Sequence, residues 1–569
     1  MAYALIAWVL IQVVTVVVPT FEAPHWVTQT ITLLLILGFP LAVGLAWAFD
    51  VTPDGVHRTR RAVVSPENRP GEQDAAQPES VASPMAAPVA PPRTTPRSVA
   101  QNSIAVLPFE NMSPNPDHAY FAAGIHEEIL NSLAKLKSLS VIARTSVLQY
   151  AGTQKPIAEI AEALGVQTIM EGSVRYAGTR VRVTTQLIDA GTGAHLWSEA
   201  YEREFDDIFA IQADIAVQVA NALRAEFTKE EQRLVAAPAT TSTAAYALYL
   251  QALSLQNDGS ANADRTQSLL DRAIALDPKF SLALGAKAAL LGTQLINTTA
   301  AVAHDQTDLG PGLRKYAAAA LEIDPRDGNA HAALCAFAEF SWHWSEARPH
   351  ALRALETPNW GILVALVNWT LSWSGDADLA IDWAKRIERL NPTDWSAPWN
   401  VGIVLNYAGR YDEAAAALRR SIAILPAIPI NHSWLAITEV ARGDAASARH
   451  ELELTDELLG RERQILYLLD MGYAYGRLGD AERARRLFDE IGILGAAHDI
   501  GAGGRAIAHM AIGDYDEALK WLREAAGKAA RHEIDAGMFS LMNLKQNFTG
   551  DPVLERPEFV EARAQLKGD

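Results

Sequence analysis

The sequence predicts a multidomain protein with an N-terminal transmembrane helical hairpin, an α/β domain and an all-α superhelix of repeated helical pairs. Three observations predict this organisation. Two uncharged stretches lie within the first 50 residues, residues 102–230 alternate strand-like and helix-like patterns, and glycines recur about every 34 residues in the C-terminal half. A chain of 569 residues is also too long for one hydrophobic core, so several domains are expected.

The transmembrane hairpin is predicted within residues 1–50, with helices at about 2–18 and 26–49. The second stretch has 24 uncharged residues, and about 20 are enough to cross a bilayer. The first stretch is shorter, so a signal peptide is the alternative, but no small-residue cleavage pattern follows it. Arg58, Arg60 and Arg61 follow the second stretch and no Lys or Arg lies in the turn between the two, so the positive-inside rule places the C-terminal bulk in the cytoplasm.

Residues 51–101 read as a disordered linker. They are rich in Pro, Ala, Ser and Gln and show no apolar periodicity, which is typical of an extended tether. The next domain is therefore expected to begin near Asn102.

The α/β domain is predicted over residues 102–230, in the order β-α-β-α-β-β-β-α. Gly165 is expected to close the second helix, and a turn at 177–179 is expected to join two long strands. The predicted elements are strands at 103–109, 139–142, 168–176, 180–189 and through 197–201, and helices at 120–136, 157–164 and 206–227. Glu127 and Glu128 are candidates for acid/base chemistry, but adjacent helix residues point about 100° apart, so a solvated helix face is the favoured interpretation.

The C-terminal array is predicted over residues 240–569. Its glycines lie 34, 34, 36 and 34 residues apart, and each is followed five residues later by an alanine. The glycines are Gly375, Gly409, Gly443, Gly479 and Gly513. One repeat, with Gly402, Gly409, Tyr411, Ala414 and Pro426, matches the tetratricopeptide consensus at five places, so the array resembles a tetratricopeptide superhelix of seven to nine hairpins. Residues 551–569 are expected to cap its last apolar face.

The resemblance implies a groove lined by the first helix of each hairpin. On that basis the partner-binding candidates are Trp399, Ile403, Asn406, Tyr473 and Arg477. Their aromatic and amide groups suit an extended peptide or a partner helix. The alternative is that Trp399 is packed between hairpins. The tryptophan-rich stretch 342–399 raises the same choice, and packing of irregular repeats is favoured over a ligand surface.

The middle domain resembles the TolB-like amino-terminal domain of bacterial proteins. The resemblance lies in the run from Ser103 to Ser146, which begins SIAVLPFENMSP, and in EGSVRYAGTRVRVTTQLIDAGTGAHLWSEAYERE at 171–204. Such domains often lie between a membrane segment and repeats, an architecture related to the C-terminal regions of cyclase-associated and CadC-like regulators. Relatives commonly carry a winged helix or cyclase module before the membrane, so we expect such a module on a separate chain or encoded upstream of the first methionine.

The expected function is that of a non-enzymatic scaffold or adaptor in a bacterial inner membrane, binding protein or peptide partners through the repeat groove. The net charge of −18 argues against nucleic acid. No pattern indicates a catalytic, cofactor or metal site, and a single cysteine, Cys335, permits no disulfide within the chain. The alternatives are a sensory or regulatory component of a cyclase or transcriptional signalling pathway, or a periplasmic envelope-assembly factor. The sequence leaves the oligomeric state open.

Overall fold

The computed structural model describes sixteen parts of the chain. They are 49–52, 55–58, 102–113, 119–136, 138–177, 180–204, 208–223, 228, 240–256, 262–301, 309–356, 362–461, 463–494, 500–533, 542–543 and 550–566. The expected membrane helix 2–18, the helix 26–49 up to its last residue, and the linker from 59 to 101 lie outside these parts. Within them, no helix combines the length and the apolar character needed to cross a bilayer.

A short antiparallel hairpin forms where the linker was expected to begin. Strands β1 (Phe49–Thr52) and β2 (Gly55–Arg58) pair with Phe49 opposite Arg58. The sequence Thr-Pro-Asp-Gly at 52–55 explains the hairpin, because proline, aspartate and glycine favour a tight reversal.

The α/β domain has one sheet, in the order β5-β3-β6-β7-β8, with β4 beside β6. β3 runs parallel to β5 and β6, and β6, β7 and β8 form an antiparallel meander. The strands are β3 (Ser103–Val106), β4 (Glu110–Asn111), β5 (Ser140–Val141), β6 (Thr168–Ala177), β7 (Arg180–Asp189) and β8 (His195–Glu204). The helices are α1 (Ala119–Ala134), α2 (Arg144–Val147), α3 (Ile157–Leu164) and α4 (Ile208–Ala222), with a 3₁₀ turn at Leu148–Tyr150.

The predicted order of strands and helices matches this domain. Gly165 ends α3 with φ 68°, and its N–H bonds to carbonyls of the last turn, as the sequence predicted. The prediction missed β4, α2 and the 3₁₀ turn, because elements of two to four residues carry no readable periodicity. Helices α1 and α4 cover one face of the sheet, and α2 and α3 cover the other.

The interpretation of Glu127 and Glu128 as a solvated helix face is wrong. Glu128 is buried, and its burial raises the pKa of this carboxyl to about 7. Glu127 is partly buried and forms an ion pair of 2.8 Å with Arg144. The reason is that a further helix covers α1 on the side away from the sheet.

The C-terminal array has eight helical hairpins in the described part of the chain. Their first and second helices are α5 (Thr243–Gln256) and α6 (Ala263–Leu276), α7 (Ser281–Ala301) and α8 (Leu309–Ile323), α9 (Gly328–Phe340) and α10 (Trp344–Ala354), α11 (Ile362–Trp373) and α12 (Ala377–Leu390), α13 (Ser396–Tyr407) and α14 (Tyr411–Ile424), α15 (Pro429–Arg442) and α16 (Ala445–Leu459), α17 (Ile465–Arg477) and α18 (Ala481–Leu494), and α19 (Gly501–Ala511) and α20 (Tyr515–Ala530). Each first helix packs on its own second helix, and consecutive first helices from α7 to α19 pack on one another.

The glycine period has a direct backbone cause. All five periodic glycines lie in the turn between two helices of a hairpin with φ between 70° and 92°, a region that L side chains rarely adopt. The five alanines that follow them are fully buried where the helices cross. A Cβ at Gly402 would lie 2.7 Å from Leu418, so a larger residue there would push α13 and α14 apart. The helical-repeat prediction is therefore confirmed.

The same period continues one hairpin upstream with a tryptophan in place of glycine. Trp342 lies 33 residues before Gly375 and has φ 60°, while its indole is completely buried. A non-glycine residue in this region carries strain of roughly 1 kcal/mol. Burial of the large ring offsets that cost.

The α/β domain and the array share one hydrophobic core. Tyr246 and Leu250 of α5 lie in the same buried cluster as Ile125 and Ile129 of α1. The Leu250 side chain packs so closely on the backbone of α1 that a Cβ on Gly124 would lie 2.5 Å from a methyl carbon of Leu250.

A second, polar contact joins the domain to the turn after α12. The Ala143 N–H donates to the Leu390 carbonyl at 2.9 Å, and Thr145 Oγ1 donates to Asn391 Oδ1 at 2.9 Å. Thr393 Oγ1 donates to the Ser146 carbonyl at 3.2 Å. The domain therefore contacts the array at its first hairpin and again at its fourth.

The chain after α20 ends in a 3₁₀ turn (Pro552–Glu555) and α21 (Pro557–Ala564). Leu554, Phe559, Ala562 and Leu566 are buried, in one cluster with apolar residues of α19 and α20. The residues expected to cap the array thus cover its last helical pair.

Candidate partner-binding face

The candidate site is the face of the first helices that meets the end of the chain, here called the inner face. It includes part of an aromatic wall of eight rings, five of them on first helices, whose neighbouring centroids lie 5.6–6.4 Å apart. These residues are Trp342, Trp344, Trp369, Trp373, Trp395, Trp399, Tyr407 and Trp434. The spacing is that of edge-to-face and tilted aromatic packing.

Packing is the main role of this wall. Trp342 and Trp373 are buried, which confirms the structural interpretation of the tryptophan-rich stretch for these two rings. Trp344, Trp369 and Trp395 are half-buried and keep exposed ring surface. The wall therefore combines a rigid base with some aromatic area open to solvent.

Three of the predicted contact residues lie between hairpins. Trp399 is 9% exposed and has its ring 5.6 Å from that of Trp369. Ile403 is completely buried, and Asn406 is buried with its amide 2.9 Å from Thr438 Oγ1 on the next first helix. These side chains connect repeats in this structure, and their role in partner binding stays a prediction.

The other two predicted residues, Tyr473 and Arg477, converge on one carboxylate. The Tyr473 hydroxyl donates to Asp551 Oδ2 at 2.9 Å, and Arg477 Nη1 donates to Asp551 Oδ1 at 2.9 Å. Asp551 also accepts from the Val553 N–H at 3.0 Å and so caps the 3₁₀ turn. Asp551 is buried, and its carboxylate accepts from these three donors, one of which is the Arg477 guanidinium.

Further contacts place the chain end along the inner face. Tyr407 donates to Asn543 Oδ1 at 2.9 Å, and Met542 is completely buried. His532, just after α20, stacks on His343 with centroids 4.1 Å apart, and its Nδ1 donates to the Ser341 carbonyl at 3.2 Å. The described residues between 532 and 551 thus contact the third, fifth and seventh hairpins in turn.

Buried acids lie between the first helices as well. Burial raises the pKa of Glu339 to about 8, and Thr370 Oγ1 donates to its Oε2 at 2.6 Å. Burial likewise raises the pKa of Asp470 to about 7. At neutral pH the Glu339 carboxyl is therefore largely protonated, and the Asp470 carboxyl is about half protonated.

Sequence reasoning missed the contacts of Asp551 and Asn543 and the turn position of Trp342. Asp551 stands before proline at the start of a short helical turn, a pattern that indicates a cap but not a partner 74 residues away. For Trp342, the signal was the repeat period itself, extended one step upstream.

No catalytic or metal cluster emerges from the described residues. In those parts of the chain, no group of three or more His, Cys, Asp or Glu side chains could hold a metal ion. The single cysteine, Cys335, is buried against Thr370, and burial keeps its pKa well above the usual range for a thiol.

Two sequence comparisons found similar proteins. A family model described as the HilA/YgeH-like transcriptional regulator, second domain, matches residues 100–217, which covers most of the α/β domain. The putative adenylate cyclase 3 of Rhizobium meliloti (strain 1021) is 34% identical over 236 residues, or 41% of this chain. The chain matches only 40% of the length of that relative.

Several solved structures resemble this chain weakly. The human IFIT1 dimer with PPP-AAAA has 14% identity and a TM-score of 0.36, and the match covers 64% of this chain and 82% of that one. A tetratricopeptide repeat protein from Parabacteroides merdae ATCC 43184 has 14% identity and a TM-score of 0.32, with 46% and 99% covered. YrrB, titled a TPR protein with an unusual peptide-binding site, has 18% identity and a TM-score of 0.26, with 35% and 95% covered. Scores this low carry no argument, so the helical-repeat assignment depends on the period and packing of this chain.

Proposed function

We propose that the chain is a non-enzymatic adaptor that binds protein partners on the inner face of its helical array. One observation carries the proposal. The inner face already holds Asn543 and Asp551 of the same chain through the side chains of Tyr407, Tyr473 and Arg477. Those contacts combine an aromatic surface with charge-assisted hydrogen bonds, which are the means by which extended segments are bound.

The proposal includes a membrane anchor. The uncharged stretches 2–18 and 26–49, followed by three arginines, support a hairpin that keeps the array on the cytoplasmic side of a bacterial inner membrane. Reporter fusions after Arg61 test this: activity of a cytoplasm-dependent reporter is expected, and activity of a periplasm-dependent one alone contradicts it.

The binding proposal is tested by photo-crosslinking in cells. A benzoylphenylalanine replaces Trp369, which is half-buried in the aromatic wall, in the full chain. The control places the same group at Glu457, which is exposed on the second helix α16. Crosslinks to a protein partner are expected from position 369 and not from position 457. Crosslinks from position 457 alone contradict the proposal.

The absence of enzymatic activity is tested directly. The purified full chain, incubated with ATP and Mg²⁺ or Mn²⁺, is expected to form no cyclic AMP. Formation of cyclic AMP that a point substitution abolishes contradicts a pure adaptor role.

A second candidate function is a regulatory one in a cyclase or transcription pathway. The match of residues 100–217 to a domain of transcriptional regulators and the similarity to a protein named as an adenylate cyclase support it. Deletion of the gene is then expected to change cellular cyclic AMP or the transcription of a defined gene set. If neither changes while crosslinked partners are found, the general adaptor role is favoured.

A further inference from the structure

We infer that the C-terminal segment, whose described residues are 542–543 and 550–566, competes with partners for the inner face. The partner then presents a carboxylate to Tyr473 and Arg477 in the place of Asp551. This inference rests on the proposed function and specifies its regulation and the chemistry of its ligand. The observation behind it is that the two residues predicted to bind partners are both engaged by Asp551.

The Asp551 site is built from side chains rather than from general packing. Arg477 and Tyr473 lie on α17, one helical turn apart, and both point at the same carboxylate. The Arg477 side chain is about a quarter exposed, whereas Asp551 is 4% exposed. A buried arginine–carboxylate contact costs much when one member is removed without replacement, so a competitor must supply an acceptor of the same charge.

Two parts of the C-terminal segment are held in different ways. Beyond Asp551, Leu554, Phe559 and Leu566 bury apolar side chains against α19 and α20. Asp551 itself and Asn543, which precedes it, contact the inner face through hydrogen bonds. Met542 is the buried apolar residue in this part. Polar contacts exchange at a lower cost than an apolar core, because water or another polar group can replace each of them.

The anchored end sets how strongly the segment competes. A segment tethered within a few residues of its site has an effective concentration in the millimolar range. A partner must therefore bind the free site well below that value or be linked to the chain by a second contact. Weakening Asp551 should release the face without removing α21.

The first test uses hydrogen exchange on the purified full chain. Asp551→Asn keeps the size of the side chain but removes its charge, and the backbone amides of 550–556 are expected to exchange at least about tenfold faster. Amides of α13 and α20 should not change. The matched control is Asp516→Asn, an exposed carboxylate on α20. Equal exchange at 550–556 in the wild type and Asp551→Asn overturns the inference.

The second test supplies the segment in trans. A fluorescent peptide of residues 540–556 is expected to bind the Asp551→Asn chain with a Kd at least about tenfold lower than the wild-type chain. Adding Arg477→Ala to that chain should abolish binding, while Arg485→Ala, an exposed arginine on α18, should not. Binding that survives Arg477→Ala, equal binding to wild type and Asp551→Asn, or no binding up to about 1 mM overturns the inference.

Two further measurements keep the outcomes distinct. If Asp551→Asn lowers the melting temperature of the whole chain, Tyr473→Phe is used in its place, because that change removes one hydroxyl and leaves Arg477 unchanged. Smaller changes in the exchange rates and in the peptide Kd, in the same directions, are then expected. The crosslinking experiment at Trp369 separates the two proposals. Peptide binding without any crosslinked partner contradicts the proposed function alone, and crosslinked partners without peptide binding contradict this inference alone.

Discussion

The helical array is held to other parts of the molecule by different physics at its first and at its seventh hairpin. At the first hairpin, Tyr246 and Leu250 join a completely buried apolar cluster with the α/β domain. At the seventh hairpin, Tyr473 and Arg477 hold Asp551 by hydrogen bonds and charge. Apolar burial has no polar competitor in water, whereas each polar contact does. The first attachment therefore makes one folding unit, and the second leaves a contact that a ligand can replace.

The largest expected change in the free energy of unfolding comes from a substitution in the apolar attachment. Leu250→Ala removes a buried side chain that packs against Gly124, and a cost of about 2–5 kcal/mol in the free energy of unfolding is expected. Urea unfolding followed by circular dichroism measures it. The matched control is Leu276→Ala, because Leu276 is 54% exposed and should cost far less. Equal costs for the two variants would contradict a shared core.

The next largest effect is a pH dependence of the free energy of unfolding. It arises from Glu339, a buried acid between first helices. Its folded pKa of about 8 lies above the usual value of 4.5, so the folded chain binds more protons than the unfolded chain between these values. The wild type should therefore lose stability as pH rises from about 4.5 to 8. Glu339→Gln cannot ionise and should be more stable than the wild type at pH 8 by roughly 1–3 kcal/mol.

The Glu339→Gln result is read from urea midpoints at pH 5 and pH 8. A difference between the two proteins that is the same at both pH values would show that Glu339 does not ionise in this range. The variant keeps an acceptor for Thr370, so the loss of that hydrogen bond does not confuse the comparison.

A smaller effect concerns the second, polar attachment of the α/β domain. Thr145→Val removes the hydroxyl that donates to Asn391, and a loss of about 1 kcal/mol is expected. A double-mutant cycle with Asn391→Ala isolates the bond. A cost as large as that of Leu250→Ala would mean that polar contacts hold the domain as firmly as the apolar core does.

The smallest effect lies on the exposed surface. Arg420 forms a bidentate ion pair with Glu388 at 2.8 and 3.1 Å, but its side chain is half exposed. Arg420→Ala should change stability by about 0.5 kcal/mol or less, because solvent screens the pair. A melting curve in high salt checks this, since an interaction that matters should weaken with salt.

Local patterns in the sequence predicted much of the fold. The periodic glycines predicted turns that the backbone confirms with positive φ, and the alanines that follow them are buried as the repeat geometry requires. Gly165 and the long strands β6 and β7 were readable for the same reason, because each depends on residues that are close in the sequence. The burial of Glu128 was not readable, because the helix that covers it begins 115 residues later.

The sequence by itself therefore determined the repeat, the order of the α/β elements and five candidate residues on the first helices. Only the tertiary structure decided that Ile403 and Asn406 lie between hairpins, that Tyr473 and Arg477 bind Asp551, and that the α/β domain and array share a core. The physical reason is distance along the chain. Turn conformation and helix periodicity are fixed by near neighbours, whereas burial and pairing depend on which distant segments the superhelix brings together.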